Sequence, residues 1–372
     1  MVQFNNRRER IYFILTLVLL SIITYWLSNV VWNMLHNTNN TFVSSLMQWD
    51  AGWYKYTIEN GYSLEPTNGA QANWAFFPLY PLIVKLFKIL TGLSVYQSGF
   101  IVSNIFLTIA LYIIFEYVSM TRSQSFAFSA VILFALGPYS FYFSSLYTES
   151  LFLCLLILCF YNLQRENWLY CGIFGALLSA TRTTGVLFFI PLLLRMFLIY
   201  FKTSKNLFDI VVQVLKDEKK LLALLLVPTG LFAYMTFLHF HLGDALAFKH
   251  VQKAWWRTNG NPIFTLYDNL VFGNYRSKYL SLWGILGIIG STYLLYKKRF
   301  EEGIFALVSI IIPMMSGVQS LPRYFIGTLV LIFAYNDIIN QTKKYKWLIV
   351  ITLVSFNILL LFLWFGGHVI TI

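Results

Sequence analysis

Residues Ile11 to Trp32 read IYFILTLVLLSIITYWLSNVVW, a run with no Asp, Glu, Lys or Arg in it. At 1.5 Å per residue a helix needs about 20 apolar residues to cross the hydrocarbon of a bilayer. This run is long enough, and Arg7, Arg8 and Arg10 stand just before it. Cations on that flank hold the N-terminus of a first membrane helix on the cytoplasmic side. The run passes Trp32 without a small-residue cleavage site, so the reading is a retained helix and not a removable leader.

Working outward, similar apolar runs begin near Tyr96, Ser125, Ser150, Trp168, Val186, Leu221, Leu280, Gly303, Tyr324 and Trp347. With the first, that makes about eleven predicted transmembrane helices in an all-α, polytopic integral membrane bundle. Composition agrees. Of 372 residues 58% are hydrophobic and 11% charged, against about a quarter charged in a soluble domain, and mean hydropathy is +0.66. A soluble enzyme is excluded, and a β-barrel is disfavoured because the apolar runs are continuous and do not alternate with period two.

The net charge of +12 invites a nucleic-acid reading, but the basic residues fall in short clusters between apolar runs. That is the pattern of topology, with no nucleic-acid partner expected. With the N-terminus inside, the cytoplasmic connections hold Arg7, Arg8, Arg10, Arg122, Arg165, Lys202, Lys205, Lys216, Lys219, Lys220, Lys297, Lys298, Arg299, Lys343, Lys344 and Lys346. The outer ones hold Lys55, Lys85, Lys88, Arg182, Lys249, Lys253, Arg257, Arg276, Lys278 and Arg323, while Arg195 lies within a helix near its inner end. Inner cations outnumber outer ones, as the orientation rule requires. Cys154, Cys159 and Cys171 lie in or beside apolar runs without ligand spacing, which reads as buried thiols.

The outer connections include two long segments, 33–95 and 239–278, both rich in Trp and Tyr. Long connections of this kind carry function more often than short polar ones. The reading is one membrane domain, 1–372, with its working face built from those two segments. No internal repeat or inverted pair of interrupted helices, as in secondary transporters, is seen.

In the first segment Gln48-Trp49-Asp50-Ala51-Gly52-Trp53-Tyr54 is followed by Phe76-Phe77-Pro78-Leu79-Tyr80-Pro81. A carboxylate flanked by indoles at the mouth of a bundle is partly desolvated, which favours a general base. Asp50 is that candidate, with Trp49, Trp53 and Tyr54 as substrate contacts. The competing reading makes Asp50 the cap of a short interfacial helix over Ala51–Asn60. Leu82 to Leu90, with Lys85 and Lys88, reads as a second interfacial helix that guides or merely anchors to a lipid head group.

Glu149 and Arg182 fall at the outer ends of the fourth and fifth runs, and Pro322-Arg323-Tyr324 opens the tenth. Ionisable groups bordering apolar runs are costly without a partner or a cavity. Glu149 and Arg182 are candidates to pair; Arg182 and Arg323 are also candidates to grip a phosphate, since a guanidinium donates in two directions at once. In the second segment Asp244, His250, Gln252 and Arg257 are candidate substrate contacts. The spacing of His239, His241 and Asp244 matches no strong metal motif, and neither a metal nor a cofactor is expected.

Taken in order, Trp49-Asp50-Ala51 with Trp53-Tyr54, Phe76 to Pro81, Tyr147-Thr148-Glu149-Ser150-Leu151-Phe152, Thr181-Arg182-Thr183-Thr184-Gly185, Gly243-Asp244-Ala245-Leu246-Ala247-Phe248 and Pro322-Arg323-Tyr324 resemble the PIG-V-like mannosyltransferases, which include the GPI mannosyltransferase adding the second mannose and prokaryotic relatives. The resemblance spans about residues 47–335. It implies a GT-C type glycosyltransferase taking a sugar from a polyprenyl-phosphate donor, dolichyl or undecaprenyl, on the non-cytoplasmic face. The carboxylate base of the first outer loop then falls on Asp50. An acceptor hydroxyl on a lipid or glycan is deprotonated and attacks with inversion, while Arg182 and Arg323, with Lys253 or His250 as further candidates, stabilise the departing lipid phosphate. The compact loops suggest a prokaryotic plasma membrane; in a eukaryote the same topology means the endoplasmic reticulum. Two other readings stay open at this point: a carrier or flippase for a lipid-linked sugar, and an inactive partner of another membrane enzyme.

Overall fold

The computed structural model describes residues 6–67, 69–202, 206–257 and 260–371. Lys205, counted above among the inner cations, lies outside them. The chain is nearly all helix, 79%, with no strands among the described residues. It enters by α1 (Arg7–His36), capped by the Asn6 side chain. Three short helices follow, α2 (Phe42–Leu46), α3 (Ala51–Asn60) and α4 (Leu79–Thr91). The bundle continues through α5 (Val95–Thr121), α6 (Gln124–Leu136), α7 (Glu149–Gln164), α8 (Trp168–Ser179) and α9 (Phe189–Phe201). Next come α10 (Leu207–Lys216), α11 (Glu218–Leu226), α12 (Thr229–Leu242), and the short α13 (Ala247–His250) and α14 (Pro262–Val271). Last are α15 (Tyr275–Tyr296), α16 (Phe300–Met314), α17 (Leu321–Gly327), α18 (Leu329–Gln341) and α19 (Lys346–Phe365).

Each of the eleven runs is helical, but helix length divides them. Among the described residues five helical segments are long and apolar enough to cross a membrane: Arg7–His36, Val95–Thr121, Thr183–Phe201, Tyr275–Tyr296 and Lys346–Phe365. A sixth is made if α11 and α12, bent by 42°, act as one span. Pro228 stands at that bend, where its missing N–H and its ring end the regular ladder. The count of eleven spans is therefore not reproduced by length. The difference has a local cause: α6, α7, α8 and α16 hold only 13, 16, 12 and 15 residues. A tight 3₁₀ turn at Ser140–Ser144 interrupts the apolar sequence between α6 and α7, and a second, Thr183–Phe188, opens the Thr183–Phe201 segment. Irregular backbone survives at membrane depth when protein buries it, and the Ser140–Ser144 turn is wholly buried.

α5 and α7 form the centre, covered by α6, α8 and α18. Buried aromatic rings such as Phe115, Phe134, Tyr142, Tyr147 and Trp364 fill the interior. Leu15, Leu19, Trp26, Leu348 and Ile351 face outward, as lipid-facing positions of a membrane bundle do. The three cysteines are free and buried. At one end Arg10 meets Glu116, Arg195 meets Glu301, and Arg122 and Arg299 meet Glu302. The basic members that the charge pattern assigns to the cytoplasmic side, with Arg195 near it, thus gather at one end. The cations assigned to the other side include Arg182, Arg257 and Arg323, and these meet at the opposite end.

Candidate active site

The site begins with a forced turn. Trp49 has a left-handed backbone, φ 51°, a conformation that costs a bulky side chain energy and persists only where the surroundings hold it. The Tyr147 hydroxyl supplies the hold, accepting from the Asp50 amide at 3.0 Å and donating to the Gln48 carbonyl at 2.9 Å. From this turn α3 runs over Ala51–Asn60, as the capping reading expects, but the Asp50 side chain makes no capping bond. It goes instead to Arg323, with Oδ2 at 2.5 Å from Nη1.

Arg323 sits in the first turn of α17, inside the chain fold and over the Tyr147 and Tyr142 rings at 4.6 and 5.5 Å. Its Nε and Nη2 also reach Glu149 Oε1, both at 2.8 Å. The same Glu149 oxygen accepts from Arg182 Nη1 at 3.0 Å. Two carboxylates and two guanidiniums thus form a chain, Asp50–Arg323–Glu149–Arg182. Arg182 lies over the Tyr324 ring at 4.9 Å. It is held in place by Gly185, where a Cβ would come within 2.2 Å of the Leu178 carbonyl oxygen; only glycine lets this turn close on α8.

Exposure falls from Asp50 inward to Glu149 and rises again at Arg182. The Asp50 side chain is 28% exposed, Arg182 13%, Arg323 8% and Glu149 0%. Glu149 Oε2 is buried with no hydrogen-bond partner among the described residues. Such an orphan is expensive. The two arginines read from sequence as phosphate ligands are here already committed to carboxylates. The expectation that Glu149 and Arg182 pair holds.

Aromatic rings wall the Asp50 side. Trp53 stacks on Phe76 at 6.0 Å and meets Trp255 edge-on at 5.8 Å, so the two long segments touch. Tyr54 is buried against Phe76, Tyr80 and Tyr147. Burial, with Glu149's charge adding to it, pushes its phenol above the usual range, so it is a neutral hydrogen bonder. Trp49 is 38% exposed beside Asp50.

The second segment divides. Arg257 donates to Gln252 Oε1 at 3.0 Å and to Ser320 Oγ at 3.5 Å. Ser320 stands three residues before Arg323 and Tyr324 follows Arg323, with its ring under Arg182. Gln252, Arg257 and Tyr324 therefore belong with the site. Asp244 and His250 do not join it: they pair with each other at 2.7 Å, 42% and 58% exposed. Among the described residues neither makes a hydrogen bond or ion pair to the Asp50 chain. His241 turns elsewhere, to the Tyr62 carbonyl at 3.0 Å. Residues missed in the sequence are Tyr142, Tyr147 and Ser320. Tyr147 stood in a quoted motif, but nothing in its type or spacing announces a clamp.

These features define a multi-pass membrane protein whose short interfacial helices after the first span present a carboxylate to a buried cluster of arginines. Solved structures with this fold are GT-C glycosyltransferases. The chain is similar to ArnT from Cupriavidus metallidurans, solved bound to undecaprenyl phosphate, at 12% identity and TM-score 0.57, covering 91% of this chain and 62% of that one. It is similar to the Archaeoglobus fulgidus oligosaccharyltransferase, solved in complex with Zn and sulfate, at 14% identity and TM-score 0.52, covering 95% and 53%. A structure of the oligosaccharyltransferase AglB from the same organism, holding an inhibitory peptide and a dolichol-phosphate, aligns at 13% identity and TM-score 0.50, covering 96% and 56%. The chain thus spans less than two thirds of each of these proteins.

The family is given by sequence. The model of the Mannosyltransferase (PIG-V) family matches residues 20–243, and the chain belongs to that family. No curated protein matches it in sequence.

Proposed function

We propose that the protein transfers a mannosyl residue from a polyprenyl-phosphate carrier, dolichyl or undecaprenyl, to a hydroxyl of a lipid or glycan acceptor on the non-cytoplasmic face of the membrane. The family supports the sugar. Structural neighbours solved with undecaprenyl phosphate and dolichol-phosphate support the carrier. The segments 33–95 and 239–278 form the working face of one membrane domain. That membrane is the plasma membrane in a prokaryote and the endoplasmic reticulum in a eukaryote.

The observation that carries the reading is the shared guanidinium. Arg323 holds Asp50 at 2.5 Å while its other nitrogens face Glu149. A donor phosphate arriving at Arg182 and Arg323 competes with Asp50 for the same cation. Its charge is neutralised there, and Asp50 is released as a carboxylate able to take a proton. The acceptor O–H gives its proton to Asp50, its oxygen attacks the anomeric carbon from the face opposite the phosphate, and the C–O bond to phosphate breaks with its electron pair on the leaving lipid phosphate. Configuration inverts. Trp49, Trp53 and Tyr54 line the approach, and no metal or cofactor is invoked.

The test offers the protein in nanodiscs radiolabelled undecaprenyl-phosphate-mannose, dolichyl-phosphate-mannose or GDP-mannose, each with a membrane lipid extract. Label should move to extractable lipid from a polyprenyl-linked donor and not from the nucleotide sugar. Transfer from GDP-mannose alone would refute the donor. A donor that binds and crosses the bilayer without transfer would make the protein a carrier.

A further inference from the structure

The helix α14 divides its surface three ways. Leu266 packs against the core. Ile263, Phe264, Tyr267 and Val271, at helical spacing, form a bare apolar stripe. Thr265, Asp268 and Asn269 take the face between and line a cavity of about 330 Å³, shared with Arg276 in the first turn of α15, with Gln319 and with Trp256. A short helix with one face on the protein, one bare and apolar and one polar suits the membrane interface, at the depth of lipid head groups. Trp256 adjoins Arg257, and Gln319 leads to Ser320 and Arg323, so the cavity opens at the end of the bundle that holds the arginine cluster.

Its charges are unpaired. Arg122, Arg182, Arg195, Arg299 and Arg323 each hold a carboxylate, but Arg276 holds none among the described residues, and its Nε is buried without a partner there. Asp268 lines the same cavity. Among the described residues neither it nor Arg276 forms an ion pair or a side-chain hydrogen bond, with the other or with any third group. Native structures satisfy nearly all buried donors, so a guanidinium and a carboxylate that share a cavity and leave it open between them fit a ligand bringing both opposite charges. A phosphoethanolamine head group carries the two together. Its phosphate takes parallel bonds from a planar guanidinium. Its primary ammonium has three N–H groups to donate, and Asp268, Asn269 and Gln319 offer acceptors. The exposed Trp256 indole gives the cation an aromatic face. A quaternary ammonium would leave those acceptors idle, and an uncharged glycerol head would leave Asp268 without a cation.

We infer that the cavity between α14, α15 and the 316–319 loop binds a zwitterionic bilayer phospholipid with a primary ammonium, its phosphate on Arg276, its ammonium on Asp268 and its chains over the bare stripe of α14. The lipid is a resident of the fold and not a substrate, so the inference stands apart from the transferase reading.

The full-length protein is delipidated in detergent and titrated with phosphatidylethanolamine, phosphatidylcholine and phosphatidylglycerol of identical chains. Native mass spectrometry reads occupancy, and the melting temperature, which a ligand of the folded state raises, checks it. Phosphatidylethanolamine should bind about tenfold or more tightly than the other two, through charge-assisted bonds that they lack. Asp268→Asn, at an exposed position where folding is not at stake, should erase the preference over phosphatidylglycerol without weakening phosphatidylglycerol itself. Arg276→Gln should weaken all three lipids by about tenfold, and Trp256→Ala should cost phosphatidylethanolamine about threefold. Glycerophosphoethanolamine, the head group without chains, should bind at least about tenfold more weakly than the lipid, since it buries no apolar area on α14. Equal affinity for the three lipids, a preference that survives Asp268→Asn, or binding indifferent to Arg276→Gln would overturn the assignment. So would glycerophosphoethanolamine binding as tightly as the lipid, which would make the cavity a site for a free phosphate compound. Phosphatidylethanolamine recovered with a sugar attached, after incubation with polyprenyl-phosphate-mannose, would make it a substrate and end the resident role.

Discussion

Two buried carboxylates, one at each end of the bundle, use the same chemical ingredients to different ends. At one end Glu302 is satisfied throughout: Oε1 accepts from Tyr117 and Arg299, both at 2.6 Å, and Oε2 from Arg299 at 2.7 Å and Arg122 at 3.2 Å. The Arg122 guanidinium is sandwiched by the Phe126 and Phe333 rings at 4.9 and 5.0 Å. At the other end Glu149 Oε1 serves Arg182 and Arg323 while Oε2 serves nothing among the described residues, and the chain continues to a carboxylate that reaches solvent. A carboxylate bonded at both oxygens ties helices together, even though Arg122 Nη1 beside it has no partner among the described residues. A carboxylate with one oxygen unbonded, in a chain with an open end, is arranged to exchange partners.

The sharpest way to break the comparison is at Asp50. Asp50→Asn should lower transfer on the order of 10²–10⁴-fold, the range for losing a general base, with the melting temperature and detergent behaviour unchanged. Near-normal turnover would remove Asp50 from the chemistry. Glu302→Gln should do the reverse. Leaving Arg122 and Arg299 buried beside a neutral group costs roughly 3–5 kcal/mol, seen as a lower melting temperature, while activity per folded molecule persists.

A smaller effect sharpens the role of the arginines. Arg182→Lys keeps the charge but loses the second arm of the fork, so affinity for undecaprenyl phosphate should fall about ten- to hundredfold, as for one lost hydrogen bond to a charged group. Equilibrium binding in nanodiscs measures it, and unchanged affinity would take Arg182 out of the phosphate site. The smallest effect belongs to the exposed pair. The hydrogen bond from His250 holds the Asp244 carboxyl below its usual range. The stabilisation this supplies is present above the ordinary carboxylate value of about 3.9 and is lost as pH falls through the lowered one. At such exposure solvent screens it, so Asp244→Asn should leave transfer intact and remove only a slight acid dependence of the melting curve.

Much of this architecture is legible in sequence because a bilayer imposes long apolar runs and sorts cations by side. The Ile11–Trp32 run and the helix over Ala51–Asn60 follow from length and spacing. Helix ends inside the centre do not, since the turns at Ser140–Ser144 and Thr183–Phe188 are set by tertiary packing and leave no mark in hydropathy. The site divides the same way. Asp50, Glu149, Arg182 and Arg323 are visible as costly charges at run ends, yet their order in one ion-pair chain depends on helices over 270 residues apart in sequence, as Asp50 and Arg323 are. Asp244 and His250 look alike in sequence to Gln252 and Arg257, and only the path of the chain after α13 separates them.

The most direct measurement crosses the two clusters in one experiment. Asp50→Asn and Glu302→Gln are purified in parallel, and each is scored for melting temperature and for label transferred from polyprenyl-phosphate-mannose per folded molecule. Transfer lost with the melt unchanged in Asp50→Asn, and the melt lowered with transfer per folded molecule retained in Glu302→Gln, is the result this account predicts. An Asp50→Asn protein that melts early and transfers normally would show that the Asp50–Arg323 pair is structural, and would contradict it.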